Sequence, residues 1–133
     1  MRSVIRQSVL LPAPADRLFG MYLDPVQHAA FTGGAVSIAP EAGSAFSAFD
    51  GVLRGTLLAV VPSRLIVQSW RSAKFHDDDP DSTLVLSFAP EGGLGRIDLV
   101  HLDVPEHDSQ GVTDGWETHY WTPWRSYLAQ RHG

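Results

Sequence analysis

The sequence predicts an α+β domain, with one antiparallel sheet and helices packed on one of its faces. Three observations carry this. β-Branched, alternating segments dominate residues 46–104, two proline-opened helical stretches follow the first strand-like segment, and an aromatic-rich helical pattern closes the chain. Strands gathered in one run, with helices before and after, imply segregated layers and not alternating βαβ units. At 133 residues, 44% apolar and 19% charged, the chain suits a single domain over 1–133 with one core.

The elements follow in order. Residues 3–11, SVIRQSVLL, alternate with Ile5, Val9 and Leu11 on one side and read as a strand. Ala13-Pro14-Ala15-Asp16 opens a helix with proline at the first helical position, an acid in the first turn, and Leu18, Phe19, Tyr22 and Leu23 at helical spacing. Asp24-Pro25 repeats that signal for a short second helix through Phe31, which Gly33-Gly34 ends. Phe46–Phe49 and Val52–Val61 flank Asp50-Gly51, a dipeptide suited to a two-residue hairpin turn, with Gly55 marking a bulge. Leu65–Arg71 follows Pro62-Ser63. Lys74–Asp81 reads as a solvated loop. Thr83–Phe88 and Arg96–Val104 form a hairpin around glycine-rich 90–95, giving six to seven strands in all. Residues 105–111 read as a polar loop, and the pattern is helical from about Val112.

Composition excludes several classes of partner. The net charge is -5 and Lys74 is the single lysine, so the basic footprint of a nucleic-acid or anionic-membrane binder is missing. No apolar run approaches the roughly 20 residues that span a bilayer, and the first residues read as a strand and not as a secretory leader. The absence of cysteine fits a reducing cytoplasm, the expected location.

Chemistry-bearing residues concentrate near the C-terminus, in GWETHYWTPWRSYL (115–128). A 3.6-residue period puts Val112, Trp116, Tyr120, Pro123 and Tyr127 on one face, with His119 and Trp124 at its margins. Such a stripe either fills a core or lines an apolar pocket with a few polar tips. Pro123 inside a helix costs roughly 3 kcal/mol, so the helix is expected to kink there or to break and restart with Thr122 as its cap; a kinked continuous helix is preferred. On the sheet, Ile66, Gln68 and Trp70 share one face of their strand, and Ile97, Leu99, His101 and Asp103 share one face of theirs. His101 with Asp103 on the same side suggests either an oriented acid-base imidazole or a hydrogen-bonded structural histidine. His119 and Glu117 carry the same ambiguity. His76–Asp81 is rich in oxygen donors but lacks EF-hand spacing, and His101, Asp103, His107 and Asp108 match no zinc pattern, so no metal ligand and no cofactor is assigned. No nucleophile elbow or phosphate-binding loop is present in the sequence.

Ala30-Phe31-Thr32, Gly43-Ser44-Ala45-Phe46, Phe49-Asp50-Gly51 with Gly55, Val61-Pro62, Leu65-Ile66-Val67, Ser69-Trp70-Arg71, Leu84–Phe88, Val104-Pro105, and Gly115-Trp116 with Tyr120-Trp121 occur in an order that resembles the activator of heat-shock protein 90 ATPase homologue family. That family belongs to the START and birch-pollen-allergen superfamily. The resemblance implies a helix-grip fold, a curved sheet wrapped around a long C-terminal helix. The eukaryotic activator has a separate N-terminal domain, and this chain is expected to begin at the equivalent of the second domain. Single-domain members are thought mostly to hold small apolar molecules. The first expectation is therefore a pocket between sheet and helix for an apolar, aromatic or lipid-like ligand, contacted by Trp70, Leu99, His101, Trp116, Tyr120 and Trp124. The second is stimulation of a chaperone ATPase. The third is a cyclase-like or dehydratase-like enzyme using His101 or His119. The chain is expected as a monomer or homodimer.

Overall fold

The computed structural model describes residues 2–131. Seven strands form one antiparallel sheet in the order β1-β7-β6-β5-β4-β3-β2. They are β1 (Arg2–Leu11), β2 (Val36–Ser37), β3 (Ala45–Ala48), β4 (Leu53–Val61), β5 (Leu65–Ser72), β6 (Ser82–Glu91) and β7 (Leu94–Pro105). β3 to β7 form a meander, and the first strand closes the far side against the last. Helices α1 (Ala15–Leu23) and α2 (Pro25–Thr32) lie between β1 and β2, and the C-terminal helical segment packs across the sheet. This is the expected α+β helix-grip arrangement.

Local chemistry explains the boundaries. Asp24 caps α2 by accepting from the Val26 and Gln27 amides, Pro25 fills the first turn, and Gly33 at φ 81° ends the helix. Pro14 sits at the cap of α1, one position earlier than expected. The turn after β3 differs from the two-residue hairpin expected at Asp50-Gly51. Four residues, 49–52, connect the strands, and Phe49, Asp50 and Gly51 all take positive φ. Gly55 is not a bulge either: the extra residue is Leu58, between the pairs Leu57–Gln68 and Ala59–Val67. Gly55 is required because a Cβ there would stand 1.8 Å from the Ser69 carbonyl oxygen.

The C-terminal segment starts earlier than Val112. A 3-10 turn (Glu106–Asp108) leads into α3 (Ser109–Trp116), then a π turn (Glu117–Trp121), then α4 (Thr122–Arg131). Thr122 has helical φ and ψ and donates its N–H to the Glu117 carbonyl five residues back, so the helix continues through Pro123 and does not restart. The wider turn absorbs the proline, whose ring clashes with the carbonyl four residues back in an ordinary α-helix. It also inserts one residue into the helical count, which rotates the following face by about 100°. Trp121, Trp124 and Leu128 are therefore buried, where the plain period expected Pro123 and Tyr127; those two are only half-buried.

Between helix and sheet lies one continuous core. Ile66, Gln68 and Trp70 from β5, Leu84, Leu86 and Phe88 from β6, and Ile97, Leu99 and His101 from β7 face the aromatic helix. Asp103 departs from that row. It lies where β1 and β7 lose register, takes φ 60°, and is exposed, so it does not share a face with His101.

Candidate functional site

Most of the space beneath the C-terminal helix is filled. Leu99 and Trp124 are 1% exposed and Leu128 is fully buried. The opening is at the N-terminal end of the helix, where a pocket of about 420 Å³ lies between α3, the π turn, the 49–52 turn and the end of β5. Its walls include Phe49, Val52, Trp70, Val112, Trp116 and Tyr120, and Lys74, Asp108, Asp114 and His119 place charged or polar groups around them.

Each wall is set by local structure. Phe49 is held at φ 52°, a conformation that costs a bulky residue of order 1–3 kcal/mol, and its ring meets His119 and Tyr120 edge-on at 5.8 and 6.3 Å. Trp116 and Tyr120, four apart on the helix, are tilted against each other at 4.8 Å. Trp70 meets the imidazole of His101 edge-on at 4.7 Å. The Trp70 indole N–H is buried and has no hydrogen-bond partner among the described residues.

A buried polar network forms the floor. The Trp116 indole N–H donates to His101 Nδ1 at 3.2 Å. The His101 proton therefore sits on Nε2, 2.8 Å from Ser82 Oγ, and Ser82 in turn donates to the Trp70 carbonyl at 2.6 Å. Deeper in, His28 Nδ1 is 2.7 Å from the Tyr22 carbonyl, which can only accept. That leaves Nε2 to accept from the Tyr120 hydroxyl at 2.8 Å. Tyr22 donates to Gln68 Oε1 at 2.5 Å. Burial pushes His28 down to about 4 and His101 down to about 3, and raises both tyrosine hydroxyls well above their ordinary range. Both imidazoles are thus neutral near pH 7, each fixed in one tautomer by its partners.

Of the six side chains expected to contact a ligand, Trp70, Trp116 and Tyr120 line the pocket. His101 lies behind Trp116, and Leu99 and Trp124 belong to the sealed core, Trp124 stacking on Phe31 at 4.1 Å. His119 stands at the mouth, exposed. Sequence reasoning missed Phe49, whose burial against the helix depends on an unusual turn. It also missed His28, where the only signal was a histidine one turn into a helix beside Tyr22.

Residues 12–129 match the family described as Activator of Hsp90 ATPase homolog 1-like protein. The chain belongs to that family. Among solved structures, this family member is similar to an HSP90 activator from Plasmodium falciparum, with a TM-score of 0.85 and 18% identity over 95% of this chain and 96% of that one. It is also similar to protein MLL2253 from Mesorhizobium loti, with a TM-score of 0.82 and 19% identity over 96% and 98% of the two chains. At these identities the likeness is one of fold. An uncharacterized protein of Schizosaccharomyces pombe is 33% identical over an alignment of 114 positions that covers 77% of this chain and 34% of that protein. This family member thus spans about a third of the length of that relative. Among its described residues, no helix is long and apolar enough to cross a membrane.

Proposed function

We propose that this chain binds a small apolar or aromatic molecule in the pocket at the N-terminal end of its C-terminal helix. The observation that carries the reading is a hollow of about 420 Å³ walled by Phe49, Val52, Trp70, Val112, Trp116 and Tyr120, with charged groups at its edge. Its size and make-up match those of small-molecule sites, which run roughly 300–1,000 Å³ and combine apolar walls with a few directional polar atoms. Trp70, Trp116 and Tyr120 are the proposed contacts, His101 orients Trp116 from behind, and Leu99 and Trp124 hold the helix to the sheet below. The family's name points to a chaperone ATPase as an alternative partner. The pocket favours the small-molecule reading, because it is built from this chain's own side chains and a fold-level likeness does not carry an activity.

A neutral aromatic probe, 2-naphthol, tests this. It should quench tryptophan fluorescence saturably and raise the melting temperature, a ligand at a hundredfold excess over Kd adding about 2.7 kcal/mol. Gly115→Leu is the blocking variant: Gly115 lines the pocket, and a Cβ there meets nothing nearer than His119 Cδ2 at 3.8 Å. The variant should fold and lose the quenching. Equal binding by wild type and Gly115→Leu, or no saturation in either, rejects the assignment.

A further inference from the structure

We propose that His76, Asp79 and His107 form a site for one divalent transition-metal ion, of the zinc, copper or nickel class, which clips the β5–β6 loop to the start of the C-terminal helix beside the pocket mouth. The donors come from two segments far apart in sequence: His76 and Asp79 from the loop after β5, His107 from the 3-10 turn after β7. One ligating atom from each lies within 4.8 Å of the others. Asp79 Oδ2 is 3.1 Å from His107 Nε2 and 3.9 Å from His76 Nδ1, and the two imidazoles stack with centroids 3.9 Å apart and 7° between their planes.

The loop holds its donors in place without an ion. Arg71 donates from Nη1 to the Asp79 carbonyl at 2.7 Å and from Nη2 to the His76 carbonyl at 2.6 Å, while pairing with Asp81 at 3.1 Å. The His76 amide donates to Asp79 Oδ2 at 2.8 Å, and the Asp79 amide returns a bond to the His76 carbonyl at 3.0 Å. Asp79 therefore has one carboxylate oxygen engaged by the turn, and Oδ1 makes no hydrogen bond among the described residues. Preset donors reduce the ordering cost of taking up an ion.

The donor set selects the ion. Two imidazoles and one carboxylate suit zinc, copper or nickel, whereas calcium and magnesium call for a shell of oxygens. Tetrahedral zinc with Zn–N near 2.0–2.1 Å places ligand atoms about 3.3 Å apart, close to the existing Asp79–His107 separation. The remaining closure falls on His76, whose side chain is 66% exposed and has only to turn off its stack with His107 to aim a ring nitrogen at the ion. On coordination His107 ligates through Nε2 as the neutral tautomer, with its proton on Nδ1, and the fourth position stays open to water. Lys74 and Asp108, close in sequence to these ligands, line the pocket, so an ion here would restrain both sides of its mouth.

Titration calorimetry with zinc chloride in a non-chelating buffer at neutral pH tests the assignment, with no reliance on the small-molecule reading. The wild-type chain should take up one ion with a saturable isotherm and melt at a higher temperature with zinc than without it. The double variant His76→Gln, His107→Gln changes two exposed side chains; it should keep the zinc-free melting temperature and lose both the isotherm and the zinc-dependent shift. Retention of either effect in the double variant, or no saturable uptake by the wild type, overturns the proposal. Displacement of zinc by equimolar calcium overturns it too, because the ion would then be held by the loop's carboxylates.

Discussion

Lowering the pH from 6.5 toward 4 should destabilise this protein by forcing protons onto two histidines that the fold keeps neutral. Burial pushes His28 from 6.5 down to about 4 and His101 down to about 3. The unfolded chain binds a proton at each as the pH falls through 6.5, while the folded chain does not until it reaches those lower values. The unfolded state therefore carries more protons throughout the window, and stability, complete above pH 6.5, is lost as the pH falls. Each histidine contributes a slope of about 1.4 kcal/mol per pH unit, or about 2.7 kcal/mol for the pair. By pH 4, where His28 itself begins to take up its proton in the fold, the sum reaches about 6 kcal/mol, comparable with the 5–15 kcal/mol that holds an ordinary domain together. Asp24, Asp79 and Asp98, held below the usual carboxylate range chiefly by side-chain hydrogen bonds with Gln27, His107 and Ser8, act in the same direction at still lower pH. The assay is urea denaturation at stepped pH, with proton uptake read from the slope of the unfolding free energy. About two protons are expected between pH 6.5 and 4. His101→Gln, whose amide can serve Trp116 or Ser82 but not both as the imidazole does, should lower stability by about 1–3 kcal/mol at neutral pH and remove half the slope. A wild-type slope below one proton, or an unchanged slope in His101→Gln, would refute the reasoning.

Two backbone predictions follow from the sheet and the helix. Gly55→Ala should cost more than about 3 kcal/mol in chemical denaturation, because the new Cβ would stand 1.8 Å from the Ser69 carbonyl and must push β4 and β5 apart. Deleting the exposed Glu117 takes out the inserted residue and returns Trp116, Tyr120, Trp124 and Leu128 to α-helical spacing, so alone it should expose the cost of Pro123, about 3 kcal/mol. Combined with Pro123→Ala the same deletion should be tolerated, and a double variant no more stable than the deletion alone would show that the π turn does not serve the proline.

Much of the architecture was legible because alternation and caps are local signals. The strands show in β-branched alternation, and Asp24-Pro25 with Gly33 bounds α2 closely. What escaped depends on geometry that spacing does not carry. A period of 3.6 residues per turn runs the inward face of the final helix through Pro123 and Tyr127, and the π turn breaks that count, moving burial to Trp121, Trp124 and Leu128. A period of two puts Asp103 beside His101, and the β1–β7 irregularity interrupts that period. His101 itself matches the hydrogen-bonded structural alternative, both ring nitrogens being engaged. His28 and Gln68 are not legible as a polar network, since nothing along the chain shows that Tyr120 and Tyr22 converge on them across 92 and 46 residues respectively.

The position of the pocket follows from the same contacts. Trp116 is tied to His101, Tyr120 to His28 and Trp121 to Gln7, the last at 2.7 Å, so three consecutive inward aromatics of the helix are anchored by side-chain hydrogen bonds. Breaking one with its partner left buried costs about 1–3 kcal/mol, which keeps that stretch against the sheet and closes the space below it. Upstream of Trp116 the helix presents Gly111 and Gly115, four residues apart and therefore on one face, with Val112 as its buried apolar residue. Glycines fill nothing, and the sheet opposite ends in the 49–52 turn, where Phe49, at positive φ, turns its ring toward His119 and Tyr120. The hollow is therefore the place where small side chains on the helix meet a strained turn. Its volume is set by two glycines, so bulk added at Gly115 should close it while leaving the anchored aromatics undisturbed.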